Sequence, residues 1–275
     1  MSPLLAVVAL TVASPAPRWL GTPVVSPRRV VSLAPSLTEL AFALGRGDRV
    51  VGVTRFDDAP PEVKSLPRVG GFVDPDPEAV LARKPDVVLA VPVPGAQQRL
   101  EVLARLGLPV LVVPAETLDD LWTAIDVLGR LLDAGPRGVA LASSLRARLD
   151  AARAGAAAAP AVRAVVVVGY RPLVAAGPQS FLDHLLRLLN ATNVVERGPS
   201  FAHLDLEALA ASRPDVVVDL TMGESAPEGL WDRLAALARG PAPRVVRLDD
   251  SALLRPGPRL GEALERLAAA LRPRP

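Results

Sequence analysis

The sequence contains 275 residues, of which 50% are hydrophobic and 22% are charged, and its 31 basic and 29 acidic residues leave a net charge of +2. This composition excludes an intrinsically disordered chain, and without a block of like charges it gives no indication of nucleic acid as a partner. The absence of cysteine excludes disulfides, thiolate metal sites, a cysteine nucleophile and the acylated cysteine that anchors bacterial lipoproteins.

The first residues have the pattern of a secretory signal peptide. An apolar run from Leu4 to Val12 is followed by small residues up to Ala16, and the run is shorter than the roughly 20 residues that span a bilayer. We therefore predict that residues 1–16 are a signal peptide and that the protein is periplasmic, secreted without a lipid anchor. Because no lysine or arginine precedes the run, an apolar N-terminal strand is the alternative.

Short apolar runs alternate with helical patterns in the first half, which we predict to be one α/β lobe of residues 28–116. The predicted strands lie at residues 29–33, 50–53, 86–90 and 110–113. In the first helix, Ser36 and Glu39 have the spacing of a capping box, and Gly45 ends the helix. Another helix is predicted from about Gln97 to Leu106. Strands this apolar, alternating with helices, predict a parallel sheet covered on both faces.

A helical segment, residues 117–159, separates the two halves. An apolar stripe at helical spacing starts at Leu118, and the pair Gly135-Pro136 interrupts the pattern. A second helix is predicted from about Arg137 to Ala154.

The second half, residues 160–275, repeats the alternation. The predicted strands lie at residues 164–168, 194–195, 216–218 and 245–246. Ser180 opens a helix, and Leu260 to Leu271 is predicted as the last helix. Residues 169–180 and 198–204 are predicted as loops between these elements.

An internal repeat links the two halves. Residues 78–88 (EAVLARKPDVV) correspond to residues 207–217 (EALAASRPDVV): each reads Glu, an apolar helix, a basic residue, Pro-Asp and a strand. The elements before and after each copy also correspond, so we predict two lobes of one design, joined by the central helical segment. The alternative is that a helix followed by Pro-Asp and a strand is simply a common α/β unit.

Motifs typical of enzymes are missing. No glycine-rich dinucleotide or phosphate loop follows the first strand, where residues 32–36 read SLAPS, and no G-x-S-x-G is present. There are two histidines, His184 and His203, and no cluster of metal ligands at the usual spacings. The sequence therefore gives little indication of an enzyme, and we expect no catalytic residue, no cofactor and no metal site.

Four of the few aromatic residues fall in regions that follow predicted strands: Phe56, Phe72, Tyr170 and Phe201. In an α/β sheet, the loops at the carboxyl ends of the strands bind the ligand, and aromatic faces supply a large contact area. This placement favours a flat or bulky apolar ligand. The alternative is that each aromatic ring belongs to the core around it.

Five segments resemble periplasmic cobalamin (vitamin B12)-binding proteins of ABC importers. They are residues 29–40 (RVVSLAPSLTEL), 51–62 (VGVTRFDDAPPE), 66–72 (LPRVGGF), 176–182 (AGPQSFL) and 189–194 (LNATNV). The resemblance runs from about residue 28 to 272 and is specific for the wider class of receptors for cobalamin, haem and iron siderophores. It implies two Rossmann-like α/β lobes with parallel-rich sheets, joined by one long rigid helix, with the ligand in the cleft between them.

The resemblance also implies the residues of the ligand site. They are Arg55, Phe56, Asp57, Phe72, Tyr170, Arg171, Leu173, Phe201 and His203. The family commonly has Tyr where Phe56 stands, Trp where Phe72 stands, and often an aromatic residue where Leu173 stands. The phenylalanine rings would contact the corrin ring, and Arg55 and Asp57 would be among the groups that meet its polar side groups.

One glutamate in each half, Glu78 and Glu207, matches the exposed residue with which the family docks onto arginines of a two-fold permease. The repeat places both in equivalent positions, as a pseudo-two-fold receptor facing a two-fold transporter requires. The alternative is that both are helix N-terminal carboxylates stabilised by the helix dipole. The implied partners are a corrinoid ligand and a membrane-bound ABC permease dimer, with the binding protein itself a monomer.

The sequence thus predicts a protein that captures cobalamin and delivers it, chemically unchanged, to a permease. The alternative within the same class is a haem or ferric-siderophore receptor, in which Tyr170 or His203 would be the axial ligand of haem iron. A more distant alternative is a two-lobed α/β enzyme, which would normally carry a glycine-rich phosphate loop at a helix start.

Overall fold

The protein folds into two β-sheets flanked by helices, and the computed structural model describes residues 15–272. Residues 1–14 of the predicted signal peptide lie outside that range. The helices of the described residues are α1 (Pro35–Ala43), α2 (Pro77–Ala82), α3 (Gln97–Arg105), α4 (Leu118–Leu131), α5 (Gly135–Ala157), α6 (Phe181–Leu188), α7 (Leu206–Ala211), α8 (Leu230–Leu237) and α9 (Leu260–Leu271). None of these helices combines the length and the apolar character that a bilayer crossing requires.

The first sheet has the strand order β1-β5-β4-β2-β3. Its strands are β1 (Arg18–Leu20), β2 (Val30–Ser32), β3 (Val50–Gly52), β4 (Val87–Ala90) and β5 (Val110–Val112). Strands β2 to β5 are joined by parallel pairing, as their apolar sequences predict for a sheet covered on both faces. The additional strand β1 pairs antiparallel with β5 at the edge.

The second sheet has the order β11-β10-β6-β7-β9, with β8 also paired to β6. Its strands are β6 (Val162–Tyr170), β7 (Leu173–Ala176), β8 (Ala191–Asn193), β9 (Phe201–His203), β10 (Val216–Asp219) and β11 (Arg244–Arg247). The loops predicted at residues 169–180 and 198–204 are wrong in part, because they contain the antiparallel strands β7 and β9. The strand predicted at residues 194–195 lies instead at β8, because the pairing with β6 ends at Asn193.

Three clusters of buried apolar side chains fill the fold. The shared core contains alternate strand residues of both sheets together with residues of α1, α4, α5, α6 and α9, among them Leu37, Ile125, Leu145 and Leu264. The two other clusters cover the opposite face of each sheet. The predicted mixed α/β fold with two sheets is therefore confirmed, and one continuous core joins its halves.

Two packed helices, α4 and α5, connect the sheets. Helix α5 has 23 residues and is therefore about 34 Å long. The predicted break at Gly135-Pro136 is in fact the first turn of α5, where a proline is well tolerated, and the chain turns just before it at Asp133, with a φ of 54°. Helix α4 packs against α1, and α5 packs against α9. The limits of residues 117–159 as a separate segment stay a prediction.

The capping box predicted at Ser36 is wrong. Helix α1 begins at Pro35 after Ala34, which has an extended backbone, and no side chain caps the helix. Proline suits this first turn because its missing N–H would have no partner there. Glu39 does not reach back to the helix start; it binds two arginines from the far end of the chain.

The internal repeat extends to hydrogen bonds at the amino ends of the strands. In each half, an arginine donates its backbone N–H to the aspartate of Pro-Asp and its Nε to the carbonyl two residues before that aspartate. The two sets are Arg29 with Asp86 and Lys84, and Arg163 with Asp215 and Arg213. The residue that supplies the carbonyl has a φ of 49° in both halves. Such agreement in detail supports one design for both halves.

Candidate ligand-binding site

Two loops at the carboxyl end of the first sheet lie side by side. Arg55 N in the loop after β3 donates to the Gly70 carbonyl at 2.9 Å, and Val69 N donates to the Val53 carbonyl at 2.9 Å. These bonds bring two of the predicted aromatic residues onto adjoining loops.

Phe56 and Phe72 are in contact, with ring centroids 5.2 Å apart and ring planes inclined at 54°. Phe56 is 47% exposed, so part of its ring is open to solvent. The Arg55 guanidinium lies 4.7 Å from the Phe56 centroid and bonds Asp74 at 2.8 Å, and this bond lowers the pKa of Asp74. The result is an aromatic pair, with Phe56 exposed and Phe72 half-buried, beside a charged pair at the end of the sheet where α/β proteins bind ligands.

Asp57 lies beneath the loop rather than on its surface. Its Oδ2 accepts from Thr54 N at 2.8 Å and from Thr54 Oγ1 at 2.6 Å. Burial raises the pKa of Asp57, although the nearby Thr38 hydroxyl works against this shift. The Thr38 hydroxyl itself donates to the Ala34 carbonyl at 3.2 Å. Among the described residues, the other carboxylate oxygen of Asp57, Oδ1, is buried without a hydrogen-bond partner. Asp57 therefore holds the loop closed, while its contact with a ligand stays a prediction.

Gly70 fixes the backbone conformation of the loop that carries Phe72. Its φ is +99°, and a Cβ there would lie 2.7 Å from the Asp74 carbonyl oxygen and 2.7 Å from Asp76 N. We expect Gly70→Ala to lower the free energy of unfolding by about 3 kcal/mol in chemical denaturation, because a clash with backbone adds to the strain of positive φ. Gly107→Ala is the matched control, with a φ of +86° and nothing within 4 Å of its Cβ, and should lose about 1 kcal/mol. Equal losses would contradict the clash.

A charge cluster joins the first helix to the C-terminal segment. Glu39 of α1 is 4% exposed, and its carboxylate accepts Arg259 Nε and Nη2, each at 2.9 Å, and Arg255 Nη2 at 3.0 Å. The hydrogen bonds that Arg259 donates to Glu39 raise the pKa of Arg259. Arg255 also donates to Asp58 at 3.3 Å, close in sequence to Phe56. The cluster holds the C-terminal segment against the candidate site, and no local sequence pattern indicated it.

Tyr170 lies in the core of the second half. Its buried ring packs edge-on against Trp231 at 6.2 Å, and its hydroxyl donates to Asp219 Oδ2 at 2.5 Å. Burial raises the pKa of Tyr170, and Asp219 Oδ1 accepts from the Thr221 hydroxyl at 2.7 Å. A ligand contact or an axial bond through the Tyr170 oxygen would therefore require this buried bond to break.

The other predicted residues of the second half lie on or near β7 and β9. Arg171 is exposed in the turn after β6, and Leu173 is half-buried against the core on the outer face of the sheet. Phe201 is 53% exposed, and His203 is exposed two positions further along β9. Residues two apart on a strand face the same side. The structure therefore brings the first-half aromatics together and divides the second-half residues between the core and an edge strand.

Glu78 and Glu207 occupy equivalent exposed positions in the first turns of α2 and α7. Each helix begins after an aspartate that caps it: Asp76 Oδ1 accepts from Glu78 N at 3.0 Å, and Asp205 Oδ1 accepts from Ala208 N at 2.6 Å. The structure thus reproduces the symmetry expected of the two glutamates, and their docking role stays a prediction.

A large cavity of about 990 Å³ is lined by none of these residues. It opens near the amino ends of β6 and β10 and is lined by α7, α8 and four arginines, Arg163, Arg197, Arg213 and Arg239. It contains none of the predicted ligand residues. Among residues 15–272, no group of three histidine, aspartate or glutamate side chains is arranged to hold a metal ion.

Known proteins resemble this chain over most of its length. The sequence model of the family described as Periplasmic binding protein matches residues 30–236. A Bacillus subtilis protein named an uncharacterized ABC transporter substrate-binding lipoprotein is 30% identical over 259 residues, which are 90% of this chain and 81% of the relative. A vitamin B12-binding protein of Pectobacterium carotovorum is 27% identical over 252 residues, which are 89% of this chain and 88% of the relative.

The fold also resembles a solved structure. A crystal structure of a periplasmic haem-binding protein from Pseudomonas aeruginosa matches with a TM-score of 0.76 and 29% sequence identity, covering 90% of this chain and 93% of that chain. The similarity therefore includes both sheets and the helices between them.

Proposed function

The chain belongs to the periplasmic binding protein family of ABC transporters, and on that premise we propose that it captures cobalamin and passes it, chemically unchanged, to an ABC permease. The family serves transport rather than catalysis. The observation that carries the proposal is the Phe56–Phe72 contact at the carboxyl end of the first sheet, in which Phe56 is exposed and Phe72 is half-buried.

The aromatic pair suits a macrocyclic ligand. Ligand sites combine apolar walls with a few polar groups that fix orientation. The rings of Phe56 and Phe72 offer the apolar wall, and the neighbouring Arg55–Asp74 pair offers a donor and an acceptor. A corrin is a broad ring edged by amide side groups, so it would use both. The vitamin B12-binding relative from Pectobacterium carotovorum supports this choice of ligand.

Haem is the second candidate, because the Pseudomonas aeruginosa structure is that of a haem-binding protein. Haem iron is normally held by an axial ligand from the protein. The single tyrosine, Tyr170, is bonded to Asp219, whereas His203 is exposed on β9. A Soret band that is lost on His203→Ala would favour haem. A ferric siderophore is the third ligand to test within the class.

Docking and location are further parts of the proposal. Glu78 and Glu207 would meet arginines of the permease dimer, with the binding protein acting as a monomer. Exposed ion pairs contribute about 0–1 kcal/mol each, and more when desolvated at an interface, so the glutamates would serve orientation and association rate. We also propose that the protein is periplasmic and secreted without a lipid anchor, in contrast to the Bacillus relative, which is named a lipoprotein.

Isothermal titration with cyanocobalamin tests the proposal directly. We expect the protein that starts at residue 17 to bind one cyanocobalamin with a nanomolar dissociation constant, which corresponds to about −12 kcal/mol. Hemin and a ferric hydroxamate serve as comparison ligands in the same titration. Absence of cyanocobalamin binding at micromolar concentrations, with tight binding of either comparison ligand, would replace cobalamin by that ligand within the same family.

A further inference from the structure

An aspartate stands between the candidate ligand aromatic and the candidate docking glutamate in each half of the chain. Phe72 and Glu78 are six positions apart, and so are Phe201 and Glu207. In each segment the fourth residue after the phenylalanine is the aspartate that caps the next helix. Both segments follow the plan Phe-x-x-x-Asp-x-Glu, although one is a loop and the other begins as a strand.

In the first half, Asp76 both closes the Phe72 loop and begins α2. Its backbone N–H donates to the Val69 carbonyl at 3.0 Å, at the base of the loop. Its side-chain Oδ1 accepts from Glu78 N at 3.0 Å and from Ala79 N at 3.2 Å. A movement at the base of the loop therefore displaces the Asp76 carboxylate, which caps the first turn of α2, where Glu78 lies.

In the second half, Asp205 follows directly on β9, the strand that begins with Phe201. Strand β9 is held in register against β7, and Leu204 N continues the pairing by donating to the Leu173 carbonyl at 3.0 Å. The Asp205 Oδ1 then accepts from Ala208 N at 2.6 Å. Backbone hydrogen bonds thus fix the chain continuously from Phe201 to Leu204, the residue before the Asp205 cap.

The capped helices are short. Helices α2 and α7 have six residues each, and the first N–H groups of a helix have no partner within it. Isolated helices of this length are unstable in water. Packing of the buried Val80 and Leu209 holds each helix on the core, and the aspartate cap fixes the backbone of the first turn, which carries the docking glutamate.

We propose that Asp76 and Asp205 are positioning residues that couple occupancy of the ligand cleft to the geometry of the two docking glutamates. The inference rests on the proposed function. A ligand held between the two phenylalanines restrains both segments and therefore both caps. The restrained caps hold the two glutamates at a fixed distance from each other, which matches the distance between the two equivalent docking sites of the permease dimer. The loaded protein therefore presents a more rigid docking surface than the empty one.

Hydrogen–deuterium exchange with and without saturating cyanocobalamin tests the coupling. We expect the ligand to slow exchange of the first-turn amides of α2 and α7 about tenfold, because openings that break ligand contacts become rarer in the loaded protein. Asp76→Ala should abolish the slowing in α2 only, and Asp205→Ala should abolish it in α7 only. Asp150→Ala removes an exposed aspartate from α5 and should leave both effects intact.

The outcomes separate coupling from a purely structural cap. A purely structural cap would speed exchange in the variants, but cyanocobalamin would bind the unmodified protein without slowing either helix. That result overturns the coupling and leaves the proposed function standing. Loss of cyanocobalamin binding in either aspartate variant also overturns it, since that residue would then form part of the ligand site. If the unmodified protein binds no cyanocobalamin in the titration, the proposed function fails and this inference fails with it.

Discussion

Replacing Phe56 and Phe72 together by alanine is expected to weaken cyanocobalamin binding by about 30- to 1,000-fold, equal to roughly 2–4 kcal/mol. The two rings contact each other, and Phe56 is nearly half exposed, so the double variant removes the aromatic surface offered by the first half. Stability should fall by only about 1 kcal/mol, because partly exposed side chains contribute less than core residues. Titration measures the affinity, and thermal unfolding measures the stability.

The control for the double variant is Leu106→Ala. Leu106 is 50% exposed at the end of α3, so it matches Phe56 in exposure but lies on a helix that contributes no predicted ligand residue. Its replacement should leave the affinity unchanged. Cyanocobalamin affinity as high in the double variant as in Leu106→Ala would place the ligand elsewhere on the protein.

The Glu39→Gln variant is expected to lose about 3 kcal/mol of unfolding free energy, which corresponds to a fall in melting temperature of roughly 6–10 °C. Glutamine keeps the shape of the side chain but removes the negative charge that two arginines share. Arg255 and Arg259 would then be left partly buried without that counter-charge, a more costly state than an exposed unpaired cation. Chemical and thermal denaturation measure the loss.

Glu265→Gln is the matched comparison for Glu39→Gln. Glu265 bonds Arg148 at 2.9 Å and ties α5 to α9, but its side chain is 57% exposed. An exposed pair of this kind contributes about 0–1 kcal/mol. Similar small losses in both variants would show that water screens the Glu39 cluster, which would then contribute little to holding the C-terminal segment in place.

Local patterns account for the correct predictions from sequence. Helix α9 has apolar residues three or four positions apart, at Leu260, Leu264, Leu267 and Leu271, and its predicted and observed bounds coincide. The repeated Pro-Asp segments were also recognisable, because each belongs to one half and has the same chemistry in both. A periodicity or a repeat can be read from a single sequence without knowledge of distant partners.

Long-range pairing accounts for what the sequence could not predict. Glu39 has the spacing of a capping box with Ser36, yet its partners Arg255 and Arg259 lie 216 and 220 residues away. Pro35 has no backbone N–H that would need a partner at the first position of the helix, and no side chain caps the helix. A single sequence contains no signal for an ion pair at that separation, so the local interpretation was the one available.

The candidate site was only partly predictable for the same reason. Backbone bonds between two loops bring Phe56 and Phe72 together. The sequence indicated each residue separately, by its placement in a loop and by family resemblance, but it did not indicate their contact. Tyr170 was expected near a ligand, but Asp219, 49 residues away, offers its hydroxyl a buried partner. Strands β7 and β9 were missed because their pairing depends on register with neighbouring strands more than on their own short sequences.

The shared core makes the first part of the chain depend on the last. Helix α1 belongs to the same apolar cluster as α9, and Glu39 finds its counter-charges at Arg255 and Arg259. The residues that complete the environment of α1 are therefore synthesised long after it, 216 and 220 residues beyond Glu39 in the case of the two arginines. Contacts between such distant segments form late in folding. A chain whose first helix waits for partners more than 200 residues further along stays incompletely folded for much of its synthesis, which would suit the export that we propose.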